Sequence, residues 1–230
     1  MNFYQYEKGY RYTSDVMFLY DFARDFKPKG DLLDVGCGCG ILGLLLKRDF
    51  PSVDLTLIDI QEEHIFLADK NKHANGLNAE VILGDFTEYK FDKKFDFIVS
   101  NPPFYHEFTK KSEDKRVSIS RYADSLPLTS LLLAATKNLK FKGSFIFCYD
   151  AKQIENIFAA CEHAKLKVCN IRFVYPKKDK DASLILVHVK KDSKSYAKIH
   201  SPFFVFDADN YSKKTKEIFT MADSRSINCE

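Results

Sequence analysis

Three glycines between a short apolar stretch and a helical pattern constrain the fold of this chain most strongly. They are Gly36, Gly38 and Gly40, in the segment Asp-Val-Gly-Cys-Gly-Cys-Gly. Residues 32–35 before them are predicted to form a buried strand, and residues 41–50 after them a helix. A backbone that turns sharply and lets a ligand approach needs positions without Cβ atoms, which glycine supplies. The sequence therefore predicts a strand–turn–helix unit with a ligand-binding turn.

Strand-like and helix-like patterns alternate from about residue 31 to residue 190, which favours an α/β fold with a parallel sheet. We expect strands at 32–35, 54–59, 80–83, 95–100, 144–149, 167–175 and 183–190, and helices at 12–26, 41–50, 61–74, 125–138 and 154–164. The segment between the last two strands is too short for a helix, so these strands should run antiparallel. The length fits a single domain over residues 1–230, with a helical lead-in (1–30), a catalytic core (31–190) and a C-terminal extension (191–230).

Acidic residues stand near the ends of the first three predicted strands. Asp34 is the last acid before the glycine turn, and Asp59 ends the next strand, where a ribose diol would find its acceptor. Asp85 ends the third strand and can accept a hydrogen bond from an adenine amino group. Each acid alone is also typical of a turn or a helix cap. Together with the turn they predict a nucleoside-cofactor site formed by Asp34, Gly36, Gly38, Gly40, Asp59, Ile60, Asp85 and Phe86.

The segment Asn101-Pro102-Pro103-Phe104 follows the predicted strand 95–100 and is the candidate catalytic segment. The Asn101 side-chain oxygen and the Pro102 carbonyl can accept hydrogen bonds from one planar amino group, and Phe104 offers a face for stacking. Such acceptors stabilise the positive charge that develops on a nitrogen as a methyl group arrives. An isolated Asn-Pro-Pro is common in plain turns. Its place behind the glycine turn predicts methyl transfer from S-adenosylmethionine to a planar nitrogen, with Asn101 also in the cofactor site.

The glycine turn with its acids resembles the S-adenosylmethionine-binding half of the class I methyltransferases. Within the Asn-Pro-Pro-Tyr/Phe subgroup, the chain is most similar to the bacterial tRNA (adenine-N6)-methyltransferases that act in the anticodon loop of valine tRNA. The similarity covers nearly the whole length and includes Thr13-Ser-Asp15, Arg121-Tyr122 and residues 209–212. It implies a Rossmann-like fold with a seven-stranded, mostly parallel sheet whose last strand is antiparallel, and S-adenosyl-L-methionine as cofactor. It also implies that Thr13 and Asp15 face the cofactor. In the family this helix usually continues Thr-Asp-Gly, whereas here Asp15 is followed by Val16 and Met17.

The same resemblance implies that the substrate is an unpaired or flipped-out adenine in tRNA, because a base inside a duplex does not reach such a pocket. RNA binding needs positive charge beside the pocket. The predicted RNA-binding residues are Lys110, Lys111, Lys115, Arg116, Arg121, Lys177 and Lys178. Each of these side chains alone is also compatible with an ordinary solvated surface. The formal net charge of +3 permits nucleic acid binding without requiring it.

Other features of the sequence argue against several kinds of protein. The first residues lack the basic end and apolar stretch of a signal peptide, and no segment approaches the roughly 20 apolar residues of a membrane span. The six cysteines show neither paired CxxC spacing nor a nearby His pattern, so no metal site is expected. We therefore expect a cytoplasmic protein without membrane or metal, and the sequence indicates no oligomeric partner.

Three other functions remain open. Asn-Pro-Pro-Tyr/Phe also occurs in protein glutamine N5-methyltransferases of the release-factor type, but these carry a helical N-terminal substrate domain, and only about 30 residues precede the sheet here. A small-molecule N-methyltransferase would not need the basic residues around 110–121. A non-catalytic binding module would keep the glycine turn, but the intact Asn-Pro-Pro-Phe argues against it.

Overall fold

The computed structural model describes residues 1–7, 11–104 and 126–229 and shows an α/β fold around one large sheet. The helices are α1 (Ser14–Arg24), α2 (Ile41–Asp49), α3 (Glu62–Ala74), α4 (Leu128–Asn138), α5 (Ile154–His163) and α6 (Lys213–Ala222), with a 3-10 turn at Ala151–Gln153. The strands are β1 (Asn2–Tyr6), β2 (Asp31–Val35), β3 (Asp54–Asp59), β4 (Glu80–Leu83), β5 (Phe95–Ser100), β6 (Leu139–Asp150), β7 (Leu166–Tyr175), β8 (Leu184–Lys191), β9 (Lys198–Ile199), β10 (Phe203–Phe204), β11 (Phe206–Asp207), β12 (Asn210–Tyr211) and β13 (Arg225–Cys229). The predicted alternation of strands and helices is confirmed.

The central sheet contains the seven predicted strands in the order β4-β3-β2-β5-β6-β8-β7. All of them are parallel except β8, which runs antiparallel to both of its neighbours, β6 and β7. The predicted Rossmann-like, mostly parallel sheet with an antiparallel last strand is therefore confirmed. The predicted number of strands is too low, because β9 and β10 also pair with β7 and make the sheet nine-stranded. Strands of two residues show no apolar–polar alternation, so the sequence does not reveal them.

The order of the strands reverses at β2. From β2 the chain builds outward to β3 and β4, and it then returns to add β5 on the other side of β2. In open sheets of this kind, ligands bind at the reversal, outside the carboxyl ends of the parallel strands. Because β2, β3, β4 and β5 are parallel, their carboxyl ends lie together along one border of the sheet, which we call the carboxyl edge.

Helices cover both faces of the sheet, and each face has its own apolar cluster. One cluster lies beneath α1, α2, α3 and α6 and includes Phe18, Leu44 and Leu57. The other lies beneath α4 and α5 and includes Leu131 and Phe145. Burial of these side chains is the main stabilising contribution to such a fold, and it holds the parallel strands level with one another.

The two ends of the described chain pair with each other outside the central sheet. The strands β1 and β13 form a parallel pair, which we call the terminal pair, with Asn2 opposite Arg225 and Tyr6 opposite Cys229. The predicted helical lead-in thus contains a strand in addition to α1, and the C-terminal extension contains several short strands in addition to α6.

Asn71 of α3 and Asn75, the residue that directly follows this helix, take the place of a neighbouring strand for β1. The Asn71 amide accepts from the Tyr4 N–H (2.7 Å) and donates to the Tyr4 carbonyl (3.1 Å). One helical turn later, the Asn75 amide accepts from the Asn2 N–H (2.9 Å) and donates to the Asn2 carbonyl (2.7 Å). Asn71 also donates to the carbonyl of Cys39 in the glycine turn (2.9 Å). The terminal pair is thereby connected directly to that turn.

We expect Asn71→Ala to lower the free energy of unfolding by about 2 kcal/mol, because it leaves the buried carbonyl of Cys39 and the part-buried backbone groups of Tyr4 without their partners. Asn71 is fully buried. Asn75→Ala is the matched control, since Asn75 is only half-buried and its backbone partners can turn to water. Its loss should stay below about 1 kcal/mol. Urea unfolding measures both variants, and equal losses would contradict the prediction.

Candidate active site

A cleft opens at the carboxyl edge, where the turn after β2 faces the ends of β3 and β5. Its empty space, including the part that is open to solvent, is about 1020 Å³. The cleft is lined by the glycine turn, by the residues at the ends of β3 and β4, and by Asn101 and Pro103 after β5. The predicted cofactor site and the candidate catalytic segment therefore share one cavity.

Glycine is required in the turn for two different reasons. Gly36 and Gly38 have φ angles of +63° and +55°, and a Cβ added to either would meet no atom within 4 Å. Both residues line the cleft, so their bare side is open to a ligand. Gly40 has a φ of +80°, and a Cβ there would lie 3.2 Å from the side chains of Leu44 and Leu57. Gly40 therefore serves the packing of α2, whereas Gly36 and Gly38 form the cradle.

Asp59 holds the glycine turn in place. Its Oδ2 accepts from the backbone N–H of Gly38 (2.9 Å), and its Oδ1 accepts from the backbone N–H of Gln61 (2.9 Å). The ring nitrogen Nδ1 of His64 lies 3.1 Å from Oδ2. These contacts join the end of β3 to the turn after β2. The predicted contact of Asp59 with a ribose diol stays a prediction, and it would use the lone pairs that these bonds leave.

Asp34 is a buried carboxyl beneath the turn. It is 1% exposed, and its Oδ2 accepts from the backbone N–H of Gly43 (2.8 Å). Burial raises the pKa of Asp34 to about 7, and the negative charge of Asp59 acts in the same direction, while the bond from Gly43 opposes them. Two carboxyl groups thus lie under one turn, and a cation in the cleft would stabilise their charged forms.

The wall at the ends of β3 and β4 suits a flat apolar group. Ile60 is 54% exposed and Phe86 is buried, and both line the cleft. Between them, Asp85 accepts with Oδ1 from the backbone N–H (2.8 Å) and the hydroxyl (2.7 Å) of Thr87. Asp85 is therefore a turn former, as the simpler interpretation of the sequence has it. Its predicted contact with an amino group stays a prediction.

Asn101 enters the cleft because β5 is fixed on both sides. Ser100 lies opposite Val35 of β2 and Phe147 of β6, and its hydroxyl donates to the Val35 carbonyl (2.8 Å). The next residue therefore stands beside the glycine turn. The Asn101 Oδ1 accepts from the thiol of Cys148, with 2.8 Å between oxygen and sulfur.

The other end of the candidate catalytic segment contacts residues that follow β6. The rings of Phe104 and Tyr149 have centroids 5.8 Å apart and are tilted by 56°. The carbonyl of Phe104 accepts from the side-chain amide of Gln153 (3.2 Å). The segment is thus held at its first and last residues by one neighbouring stretch of chain.

The structure brings most of the predicted site residues together. Those that line the cleft are Asp34, Gly36, Gly38, Asp59, Ile60, Asp85, Phe86, Asn101 and Pro103. Gly40, Pro102 and Phe104 adjoin these residues without belonging to the lining. Thr13 and Asp15 also lie outside the lining, with the Thr13 hydroxyl donating to Asp15 Oδ2 (3.2 Å) and burial raising the pKa of Asp15. The cofactor contact of Thr13 and Asp15 stays a prediction.

Several side chains of the cleft were not predicted. Gln5, Tyr12, Gln61 and His64 all belong to the lining. Gln5 accepts from the Tyr12 N–H (3.0 Å) and donates to the hydroxyl of Ser226 (2.7 Å), so the terminal pair forms part of the wall. The sequence held a signal only for Gln61 and His64, which follow Asp59 within about one turn of helix.

The predicted RNA-binding residues fall in two parts of the chain. Lys110, Lys111, Lys115, Arg116 and Arg121 lie outside the described residues. Lys177 and Lys178 lie in the connection between β7 and β8, which is at the carboxyl edge because β7 runs in the same direction as β6. Lys177 donates to Asp209 (2.9 Å) on the surface, and Lys178 is exposed.

Within the described ranges, none of the helices combines the length and the apolar character that crossing a bilayer requires. The same residues contain no group of three or more His, Cys, Asp and Glu side chains that could hold a metal ion.

Residues 15–153 match the profile of a protein family described as "Methyltransferase small domain". Over 102 residues the chain is 39% identical to the Ribosomal RNA small subunit methyltransferase C of Stutzerimonas stutzeri, covering 44% of this chain and 30% of that one. Over 133 residues it is 31% identical to the tRNA1(Val) (adenine(37)-N6)-methyltransferase of Pedobacter heparinus, covering 55% of each chain. The matches thus span about a third and about half of these two relatives' lengths.

Solved structures share the fold at low sequence identity. A protein of Agrobacterium tumefaciens described as a predicted O-methyltransferase superposes with a TM-score of 0.71 at 16% identity, covering 93% of this chain and 99% of that one. A TehB-like SAM-dependent methyltransferase of Corynebacterium glutamicum gives a TM-score of 0.53 at 18% identity, covering 76% and 87%. This likeness shows that the chain shares their overall fold.

Asp34 makes the stability of the fold depend on pH. In the unfolded chain its carboxyl has a pKa of 3.8, whereas in the folded protein the pKa is about 7. The folded state therefore binds more protons between these values, and the free energy of unfolding falls as the pH rises through this window. Asp34→Asn keeps an acceptor for Gly43 and should remove this fall. At pH 8 we expect it to raise the free energy of unfolding by about 4 kcal/mol.

Urea unfolding of the native chain and of Asp34→Asn at about pH 5 and pH 8 measures this difference. Parallel pH profiles for the two proteins would contradict it.

Proposed function

The chain belongs to the methyltransferase small domain family, and from that premise we propose that it transfers a methyl group from S-adenosylmethionine to N6 of an unpaired adenine in the anticodon loop of a tRNA. One observation carries the proposal: Asn101 and the glycine turn line the same cleft. An acceptor for amino hydrogens thus stands beside a cradle for the cofactor. Donor and acceptor can meet there without a covalent intermediate on the protein.

S-adenosylmethionine is the cofactor that the family and the fold indicate, and the residues of the cleft fit it. The bare sides of Gly36 and Gly38 leave room for a ligand against the backbone. We assign Asp59 to the ribose, Ile60 to the face of the adenine and Asp85 to its amino group. The two carboxyls beneath the turn give the site a negative character that suits a cationic ligand. The bound cofactor supplies an electrophilic methyl group.

The reaction requires hydrogen-bond acceptors and alignment of the reacting groups more than it requires a general base. An exocyclic amino nitrogen is a poor nucleophile, because its lone pair is delocalised into the ring. The Asn101 Oδ1 and the Pro102 carbonyl accept its two hydrogens, which favours a tetrahedral nitrogen and stabilises the positive charge that grows there. Phe104 offers its ring to the base. The methylated nitrogen then loses one proton to solvent.

The choice of tRNA rests on how much of each chain is matched. The Pedobacter heparinus match, whose name gives adenine 37 of a tRNA, covers 55% of both chains. The Stutzerimonas stutzeri match covers 30% of the relative. Lys177 and Lys178 supply positive charge at the carboxyl edge, and the five basic residues between 110 and 121 remain predicted contacts. We place the protein in the cytoplasm, with tRNA as its partner.

Small-subunit ribosomal RNA is the second candidate substrate. The relative whose name gives that RNA is 39% identical to this chain over the matched part, against 31% for the tRNA relative. Methyl transfer to RNA is common to the two candidates, and only the modified molecule and nucleoside distinguish them.

The proposal is tested by tritium transfer from labelled S-adenosylmethionine into total tRNA, ribosomal RNA and cell protein in parallel, followed by nucleoside analysis. Label in N6-methyladenosine of tRNA is the expected result. Label confined to ribosomal RNA supports the second candidate. Label in protein alone overturns both and favours a glutamine acceptor.

Asn101→Ala should lower the transfer rate by at least about 100-fold, because it removes an acceptor that acts on the developing charge. The affinity for S-adenosylhomocysteine, measured by calorimetry, should stay within about twofold, since the cradle for the cofactor is elsewhere in the cleft. Equal loss of rate and affinity would refute the assignment of Asn101 to the acceptor side.

Replacing Lys177 and Lys178 together by Ala should lower the slope of log Kd for tRNA against log salt concentration by about 1 to 2, because phosphate contacts release counterions. Lys94→Ala with Lys167→Ala is the matched control. Both control lysines are exposed and stand where β5 and β7 begin, at the opposite edge of the sheet. An equal change of slope in the two pairs would remove the connection between β7 and β8 from the RNA surface.

A further inference from the structure

Cys148 stands next to the candidate catalytic asparagine because of the register between two strands. In the parallel pair of β5 and β6, Ser100 lies opposite Phe147. The following residues, Asn101 and Cys148, are therefore neighbours, and the thiol donates to Asn101 Oδ1 over 2.8 Å. Cys148 is completely buried, so its thiol has no water to bond instead.

The contact matters because an asparagine amide has two ends of similar shape and opposite character. The oxygen accepts hydrogen bonds and the NH2 group donates them, so the neighbours decide which end faces a ligand. A thiol has one proton to donate, and of the two ends of the amide only the oxygen can accept it. The oxygen keeps a second lone pair, which is the one an incoming amino group needs. Turning the amide over would leave the thiol proton without its acceptor and would offer the NH2 group only the weakly accepting sulfur.

The thiol keeps its proton over the whole physiological range. Burial raises the pKa of Cys148 well above its usual value, and the nearby carboxylate of Asp15 acts in the same direction. The donor to Asn101 is therefore permanent. Asp15 has a raised pKa itself because it is buried.

The far end of the candidate catalytic segment is fixed from the same stretch of chain. Gln153, in the 3-10 turn after β6, donates to the Phe104 carbonyl (3.2 Å), and the Tyr149 ring packs against Phe104. At the Asn101 end, the contact from the same stretch is the Cys148 thiol, which bears directly on the orientation of the amide.

We propose that Cys148 is a positioning residue, whose thiol holds the Asn101 amide with its oxygen available to the amino group of the substrate. The inference rests on the proposed function of Asn101 as an acceptor. It goes beyond the simpler interpretation of Cys148 as a small apolar side chain of the core, and the two interpretations predict different responses to substitution.

The test compares Cys148→Ala, which removes the donor, with Cys148→Ser, which keeps one. Cys161→Ala is the matched control, because Cys161 is also buried but lies on α5, in the apolar cluster on the other face of the sheet. Each variant is assayed for kcat, for KM with tRNA, and for the Kd of S-adenosylhomocysteine. Melting temperatures report any loss of packing.

Cys148→Ala should lower kcat by roughly 30-fold, as expected for a misaligned reacting group, with KM and Kd within about twofold. Cys148→Ser should restore kcat to within about threefold of the native chain, and Cys161→Ala should leave it unchanged. The inference is overturned if Cys148→Ala keeps the native kcat. It is equally overturned if the Ser and Ala variants lose the same amount.

A second readout needs no substrate. The side-chain amide signals of Asn101 in 15N NMR spectra are assigned by their absence from Asn101→Ala. They should move in Cys148→Ala and stay close to their native positions in Cys148→Ser and Cys161→Ala. If the native protein transfers no methyl group to RNA, the proposed function fails, and these signals still decide the contact. Unmoved signals in Cys148→Ala overturn the inference whatever the activity.

Discussion

The parallel alignment of β2 between β3 and β5 is the constraint on which the site depends. Val35 lies opposite Ile58 on one side and Ser100 on the other, so three segments leave the sheet at the same level. Backbone hydrogen bonds continue the alignment into the turn, where the Cys37 N–H donates to the Ile58 carbonyl (3.1 Å). Residues far apart in sequence therefore meet in one cleft. A shift of register by a single residue would turn their side chains to the other face of the sheet.

How far the sequence predicts the structure differs from one element to the next, and the difference follows from the range of the contacts. The glycine turn and the helix at 61–74 carry local signals, namely the spacing of the glycines and a glycine after the last helical residues. The terminal pair carries none, because its partners are remote: Gln5 and Ser226, which share a hydrogen bond, are 221 positions apart. Cys148 was predictable only as a buried residue, since its bond to Asn101 depends on the register of two strands.

The sequence predicted many of the residues that line the cleft, but not the contacts that these residues make. Asp59 and Asp85 stand where the sequence places them, yet both already hold backbone N–H groups of their own loops. The acids therefore have a structural task as well as the proposed binding task. The buried thiols of Cys37 and Cys39 lie close to Asp59 and Asp34, and burial together with that negative charge raises the pKa of each. Both cysteines are therefore uncharged residues of the glycine turn.

The pairing of β1 with β13 has a consequence for the order in which the protein folds during its synthesis. Gln5 is synthesised more than two hundred residues before Ser226, to which it donates. During that interval the central sheet can form, while one wall of the cleft lacks its final support. The cleft therefore reaches its final form only after β13 has been synthesised.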